Sequence, residues 1–142
     1  MVKVINVSSY TEAEPPVATA DKVDRKIRGL HGPIYSPDAV LAAADGQITP
    51  WTRRCLRTVQ ALGFDAEDLA RLLRDALRHG RYKDSEWCAQ SSDEVWAACD
   101  AYVLCRREWN EKAFKELECE YYIKFAIAKT GRILLLVSCH LS

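Results

Sequence analysis

An α+β fold, with N-terminal helices packed on one face of a mostly antiparallel, twisted β-sheet, is predicted by three features of the sequence. Between Ser36 and Gly80 apolar residues recur at three- and four-residue spacing, the period of an amphipathic helix. Beyond Gly80 the period falls to two, and aromatic and β-branched residues replace alanine and leucine. The chain closes with two apolar stretches divided by a turn, which is the pattern of a β-hairpin. Helices first and strands second is the order of an α+β domain rather than of alternating βαβ units.

The helices follow in order. Ser36-Pro37-Asp38 offers an N-cap with proline at the first helical position, and Ala39 to Ala44 carry a short helix to Gly46. Thr49-Pro50 repeats that start, and Trp51, Cys55, Leu56, Val59 and Leu62 form a stripe that Gly63 ends. Asp65 caps a third helix, with Leu69, Leu72, Leu73, Ala76 and Leu77 on one face and Arg71, Arg74 and Arg78 on others, and Gly80 stops it.

Strands are expected over Tyr82 to Trp87 and Val95 to Arg107, with Glu108 to Glu116 as a charged connection of some helical tendency. Glu118 to Ala128 and Arg132 to His140 form the hairpin around Lys129-Thr130-Gly131. The continuous apolar run Ile133 to Val137 fits a strand covered on both faces. Val2 to Val7 alternate loosely enough for a short strand. Residues 1–35 otherwise mix Pro15-Pro16 with charges and read as an arm, with Arg25, Lys26 and Arg28 as a solvated linker; the domain proper is 36–142.

With 142 residues and 49% hydrophobic content, one self-sufficient core is expected, so the six cysteines need not form a disulfide framework. They contain no C-x-x-C pair, and adjacent Cys139 and His140 would point to opposite faces of a strand, so no metal site and no cofactor are expected. No apolar run approaches a membrane span and the start of the chain lacks the layout of a secretory signal, which points to a cytoplasmic protein with no membrane partner. Twenty basic and twenty acidic residues cancel, which excludes a uniformly basic nucleic-acid coat. Charge is nonetheless uneven: Arg71, Arg74, Arg78, His79, Arg81 and Lys83 face only Asp75 between positions 71 and 83, a segment suited to an anion.

Glycine-rich phosphate loops, Gly-x-Ser-x-Gly elbows and His-Glu-x-x-His are all absent. What remains is a sheet decorated with polar groups. The two-residue period puts Tyr122 and Lys124 on one face of their strand and Tyr121, Ile123 and Phe125 on the other, while Ser138 and His140 share a face opposite Cys139. With Lys83, these make two cations, a phenol and an imidazole. Metal-free RNA cleavage needs such a set: a base for the 2′-hydroxyl, an acid for the leaving 5′-oxygen, and positive charge for the phosphorane. An imidazole exchanges protons near neutral pH, so His140 is the best single candidate, against the plainer reading of a solvated chain end. Lys124 among apolar neighbours should snorkel or bind an anion.

Five motifs in order are similar to one family. The stretch from about Ser36 onward resembles the MqsR-type toxins of bacterial toxin–antitoxin pairs, mRNA interferases of RelE-like fold. The resemblance rests on the short first helix with the ALGFD junction at Ala61 to Asp65, Tyr82-Lys83, Trp96…Asp100-x-Tyr102, the YYIKF strand, and the terminal LLLVSCH. It implies that Lys83, Tyr122 and His140 contribute to cleavage. Two departures stand out: His140 replaces the family's terminal lysine, and the glutamine after its tryptophan is missing, Trp96 being followed by Ala97-Ala98-Cys99.

The sequence thus leads to a metal-independent endoribonuclease toxin that cleaves single-stranded mRNA and inhibits translation, with a cognate antitoxin and the ribosome as partners. Lys83 and Lys124 would neutralise phosphate, Tyr122 position it and His140 move a proton. Arg78 and Arg81 would extend the backbone track, and Tyr82 or Trp87 stack an unpaired base. The alternative is a non-enzymatic binding or regulatory protein that retains the RelE-like fold, favoured by zero net charge and the lost glutamine.

Overall fold

The computed structural model describes residues 4–16, 24–91 and 94–141. Its elements run β1 (Ile5–Asn6), α1 (Pro37–Gly46), β2 (Ile48–Pro50), α2 (Arg53–Leu62), α3 (Ala66–His79), β3 (Arg81–Ala89), β4 (Val95–Asn110), β5 (Lys115–Ile127) and β6 (Leu134–Leu141). Six strands make one curled sheet in the order β1-β4-β5-β6-β2, with β3 beside β4.

This corrects the expected fold class. The sheet is mixed: β1 runs parallel to β4 and β2 parallel to β6, while the β3–β4, β4–β5 and β5–β6 pairs are antiparallel. Nor do helices simply precede strands, because β1 lies before all three and β2 between α1 and α2. The misreading has a local cause. Thr49-Pro50 looks like an N-cap and first helical residue, but Pro50 pairs with Leu136 in the edge strand β2, where a proline is tolerated, and the cap of α2 is Thr52, whose hydroxyl accepts from the Cys55 N–H at 3.0 Å. Of the expected strand over Val2 to Val7, Ile5–Asn6 is β1, and positions 2 and 3 lie outside the described residues.

The other helix boundaries fall where the caps put them. Ser36 caps α1, and Asp65 and Asp68 form a reciprocal capping box at the start of α3. Gly63 closes α2 in the left-handed conformation at φ 71°, open to glycine without steric cost. Leu56, expected in the apolar stripe of α2, is exposed; Cys55 and Val59 carry the burial.

Glu108 to Glu116 is also corrected, from a charged connection of some helical tendency to the end of a hairpin. Strand β4 continues to Asn110 and β5 begins at Lys115, with Glu108 opposite Leu117 and Trp109 opposite Glu116. Charged residues at alternate positions hide a strand in a sequence when the ribbon they form is solvated.

The sheet's inner face carries Tyr102, Leu104, Tyr121, Ile123, Phe125, Leu134 and Leu136 into the main core, against Leu69, Leu72, Leu73 and Ala76 of α3 and Val40 and Ala43 of α1. Trp96, with no exposed surface, forms a second cluster with Trp87 and Ala98, against which Val4, Tyr10, Ile27 and Ile34 of the N-terminal region pack. The described part of that region is therefore not a detached arm. At Ala98 one side of β4 passes from β1 to β5, and both orphaned backbone groups are claimed by side chains of this region: the Ser8 hydroxyl accepts from Ala98 N–H at 3.0 Å, and Tyr35 OH donates to Ala98 C=O at 2.7 Å.

Asp100 anchors the same region. Fully buried, it accepts from the backbone N–H groups of Ile34 and Tyr35, each at 3.0 Å, and from the Ser85 hydroxyl at 2.6 Å. Burial pushes its carboxyl above the ordinary value, against the pull of these three donors. Asp100→Ala strands the buried Tyr35 N–H and the part-buried Ile34 N–H and is expected to cost about 2–4 kcal/mol in urea unfolding. Because the folded carboxyl binds its proton more readily than the unfolded one, the Asp100 contribution grows as pH falls through the interval just above 3.8. An Asp100→Asn variant should lose that dependence.

Candidate functional site: a cleft on the outer sheet face

Strand register assembles the site. On β5, Tyr122 lies between Val103 of β4 and His140 of β6, and Lys124 between Ala101 and Ser138. Tyr122, Lys124, Ser138 and His140 therefore share the face opposite the main core. A register shift in β3 adds Lys83: Tyr82 pairs with Tyr102 and Asp84 with Ala101, leaving Lys83 as the extra residue of a bulge. The shift brings Lys83 over the Tyr122 ring and Asp84 to Lys26, while Tyr82 and Ser85 stay on the core side.

Tyr122 is the centre of this group. The His140 imidazole stacks on its ring, with centroids 5.2 Å apart and planes 24° off parallel. Lys83 Nζ lies 4.9 Å and Lys124 Nζ 5.5 Å from the ring centroid, within cation–π range. Helix α2 supplies the opposing wall through Arg54 and Thr58, enclosing a cleft of about 230 Å³ bounded on the sheet side by Tyr122, Lys124, Ser138 and His140. That is room for a phosphate and its sugar rather than for a large ligand. Burial raises the Tyr122 phenol above its ordinary value, only partly opposed by Lys124, so it stays a protonated donor at neutral pH.

The cations are not all free. The Lys124 ammonium, with 11% of its side chain exposed, is ion-paired to Glu86. Burial alone would lower its pKa; Cys88, Glu86 and Tyr122 outweigh burial and hold it above its ordinary value, so it remains charged. Asp84 is paired to Lys26, which also lies 3.9 Å from Glu86. Lys26 reaches there because residues 25–27 line the edge of β3, Ile27 N–H donating to Ser85 C=O at 3.0 Å and Trp87 N–H to Arg25 C=O at 2.8 Å. The stretch expected as solvated linker is thus an added edge to the sheet.

The structure brings Lys83, Tyr122, Lys124 and His140 together. The four residues expected to bind RNA are not gathered in the same way. Arg78 and Arg81 are exposed, at the end of α3 and the start of β3. Tyr82 hydrogen-bonds Ser85 at 2.6 Å and meets Tyr102 edge-on on the core side. Trp87 is 4% exposed and packed against Trp96 and Tyr10, so its ring has no open face on which a base could stack. Arg54, Lys26, Asp84 and Glu86 escaped the sequence reading. The basic positions Arg53, Arg54 and Arg57 on α2 were a usable signal for the first; nothing in the sequence tied Lys26 to β3.

No group of histidine, cysteine, aspartate or glutamate suited to a metal ion occurs among the described residues, and the six cysteines are free thiols. No helix is long and apolar enough to cross a membrane among the described residues. No family model matches the chain, and no curated protein or solved structure is significantly similar to it.

The Lys124–Glu86 pair sets a stability prediction. Lys124→Met leaves Glu86 with only Lys26 and should cost about 1–3 kcal/mol in urea unfolding, less than a fully buried pair because Glu86 keeps some solvent. The double variant with Glu86→Gln should recover most of that loss.

Proposed function

We propose that the protein is an endoribonuclease that cleaves single-stranded RNA without a metal ion, acting as an mRNA-cleaving toxin held in check by an antitoxin in the cytoplasm. The observation that carries this reading is the stacking of His140 on Tyr122 in a phosphate-sized cleft that Lys124 also lines, with Lys83 against the same phenol ring. The similarity of Tyr82-Lys83, the YYIKF strand and LLLVSCH to the MqsR-type toxins supports it, with the ribosome a further candidate partner.

In this mechanism the 2′-hydroxyl attacks the adjacent phosphorus in line, and the bond from phosphorus to the 5′-oxygen breaks to leave a 2′,3′-cyclic phosphate. His140 takes the proton of the attacking hydroxyl, and solvent water at the mouth of the cleft gives the departing 5′-oxygen its proton. Tyr122 donates its phenolic hydrogen bond to a non-bridging oxygen, and Lys83 neutralises the charge that builds on the phosphorane. Lys124 contributes field rather than a free ion, because Glu86 already shares its charge. Arg54 provides the open cation on the opposing wall.

A second reading, a binding protein that retains the cleft without chemistry, is favoured by Asp84 and Glu86, whose carboxylates offset the cleft lysines. Incubation of a long single-stranded RNA with the protein in EDTA separates the two. Cleavage should yield ends bearing 2′,3′-cyclic phosphate, and His140→Ala or Lys83→Ala should lower the rate by about 10²–10⁴-fold with folding intact. Intact RNA, with and without added ribosomes, overturns the nuclease reading. Glu86→Gln should strengthen RNA binding severalfold by releasing the Lys124 charge, read as fluorescence anisotropy of a labelled oligonucleotide.

A further inference from the structure

Strands β4 and β5 outrun the rest of the sheet. Among the described residues, β3 accompanies β4 only from Trp96 to Val103 and β6 accompanies β5 only from Tyr121 onward, so Leu104–Asn110 and Lys115–Glu120 form a two-stranded ribbon beyond both. One face of its base rests on α3, where Arg106 pairs with Asp75 at 3.2 Å. On the other face Cys105, Arg107, Trp109, Glu116, Glu118 and Glu120 are exposed among the described residues, and the composition is unusual. Trp109 is 55% and Phe114 80% exposed, in edge-to-face contact at 5.3 Å, whereas Trp51, Trp87 and Trp96 are buried. Beside Trp109 runs a row of carboxylates: Glu116 opposite Trp109, Glu118 opposite Arg107 and Glu120 opposite Cys105. Arg107 is the one cation in these register pairs, 3.8 Å from Glu116, and Glu118 and Glu120 have no ion-pair partner among the described residues.

We propose that this outer ribbon face docks an extended, basic segment of a partner protein, separate from the cleft. Successive carboxylates two residues apart on a strand recur at about 7 Å. An extended segment with lysine or arginine at alternate positions presents its charges at that same interval, and an apolar side chain at its end covers Trp109 and Phe114. The exposed aromatic pair supplies the contact area and the carboxylate row supplies register and charge complementarity. Single-stranded RNA also stacks on exposed aromatics, but its phosphates would run along the three glutamates, so the row selects against it.

Trp109, as the exposed tryptophan, is also the reporter. The probe is a synthetic peptide in which lysine alternates with serine and which ends in two leucines; it should shift and quench-protect the Trp109 emission of the full chain. Glu118→Lys and Trp109→Phe with Phe114→Ser should each weaken binding tenfold or more, followed by anisotropy of the labelled peptide, while leaving circular dichroism and any RNA cleavage unchanged. A peptide with the same residues but consecutive lysines should bind at least fivefold more weakly. Equal binding of the two peptides, no effect of Glu118→Lys, or protection of Trp109 by an oligouridine instead overturns the proposal. Self-association of the chain that Glu118→Lys abolishes would also overturn it, by making a second copy the occupant. None of these outcomes depends on whether the cleft cleaves RNA.

Discussion

Asp100 stands in the middle of β4 with no exposed surface, and its carboxylate collects Ile34 N–H, Tyr35 N–H and the Ser85 hydroxyl. A buried carboxylate is tolerated only when its oxygens are occupied, so the chain before α1 must come to it. That requirement fixes Tyr35, which in turn satisfies Ala98, and it holds the entry to α1 against the sheet. It also sets the path along which Ile27 and Arg25 bond the β3 edge. Lys26 then arrives at Asp84 and Glu86 as a consequence of backbone pairing.

The outer cleft is organised by a second, weaker compensation. Lys124 is placed by register at a largely enclosed position, and its charge is kept by Glu86 rather than by solvent. The cleft therefore holds a balanced set of charges rather than a bare cluster of cations. The cations near it without an ion-pair partner among the described residues are Lys83, which the β3 bulge turns over Tyr122, and Arg54 on the opposing wall. A zero net charge for the chain is compatible with cations on this face, because its own carboxylates, Asp84 and Glu86, are already paired to Lys26 and Lys124.

The two surfaces are thus built by the same strands with opposite chemistry. Near its middle, β5 offers Tyr122 and Lys124; nearer its start, on the same face, it offers Glu120, Glu118 and Glu116. The alternation that exposes one set necessarily exposes the other, and the sign of the exposed side chains changes along one strand.

Much of this was written locally. The caps at Ser36 and Asp65, the stop at Gly63 and the hairpin turn at Gly131 are decided by residues within a few positions of one another, and the two-residue period alone put Tyr122 with Lys124 and Ser138 with His140. What the sequence could not decide was which strands become neighbours. The parallel pairings of β1 and β2 join residues far apart in the chain, and a three-residue strand containing Pro50 carries no periodic signal. The bulge at Lys83 and the burial of Trp87 beside Trp96 follow from the pairing of β3 with β4, the arrival of Lys26 from the bonding of residues 25–27 to β3, and that of Arg54 from the packing of α2 beside β6. Local sequence determined the elements and the faces of each strand; the tertiary structure decided which faces meet, because only long-range pairing brings distant side chains to a common cleft.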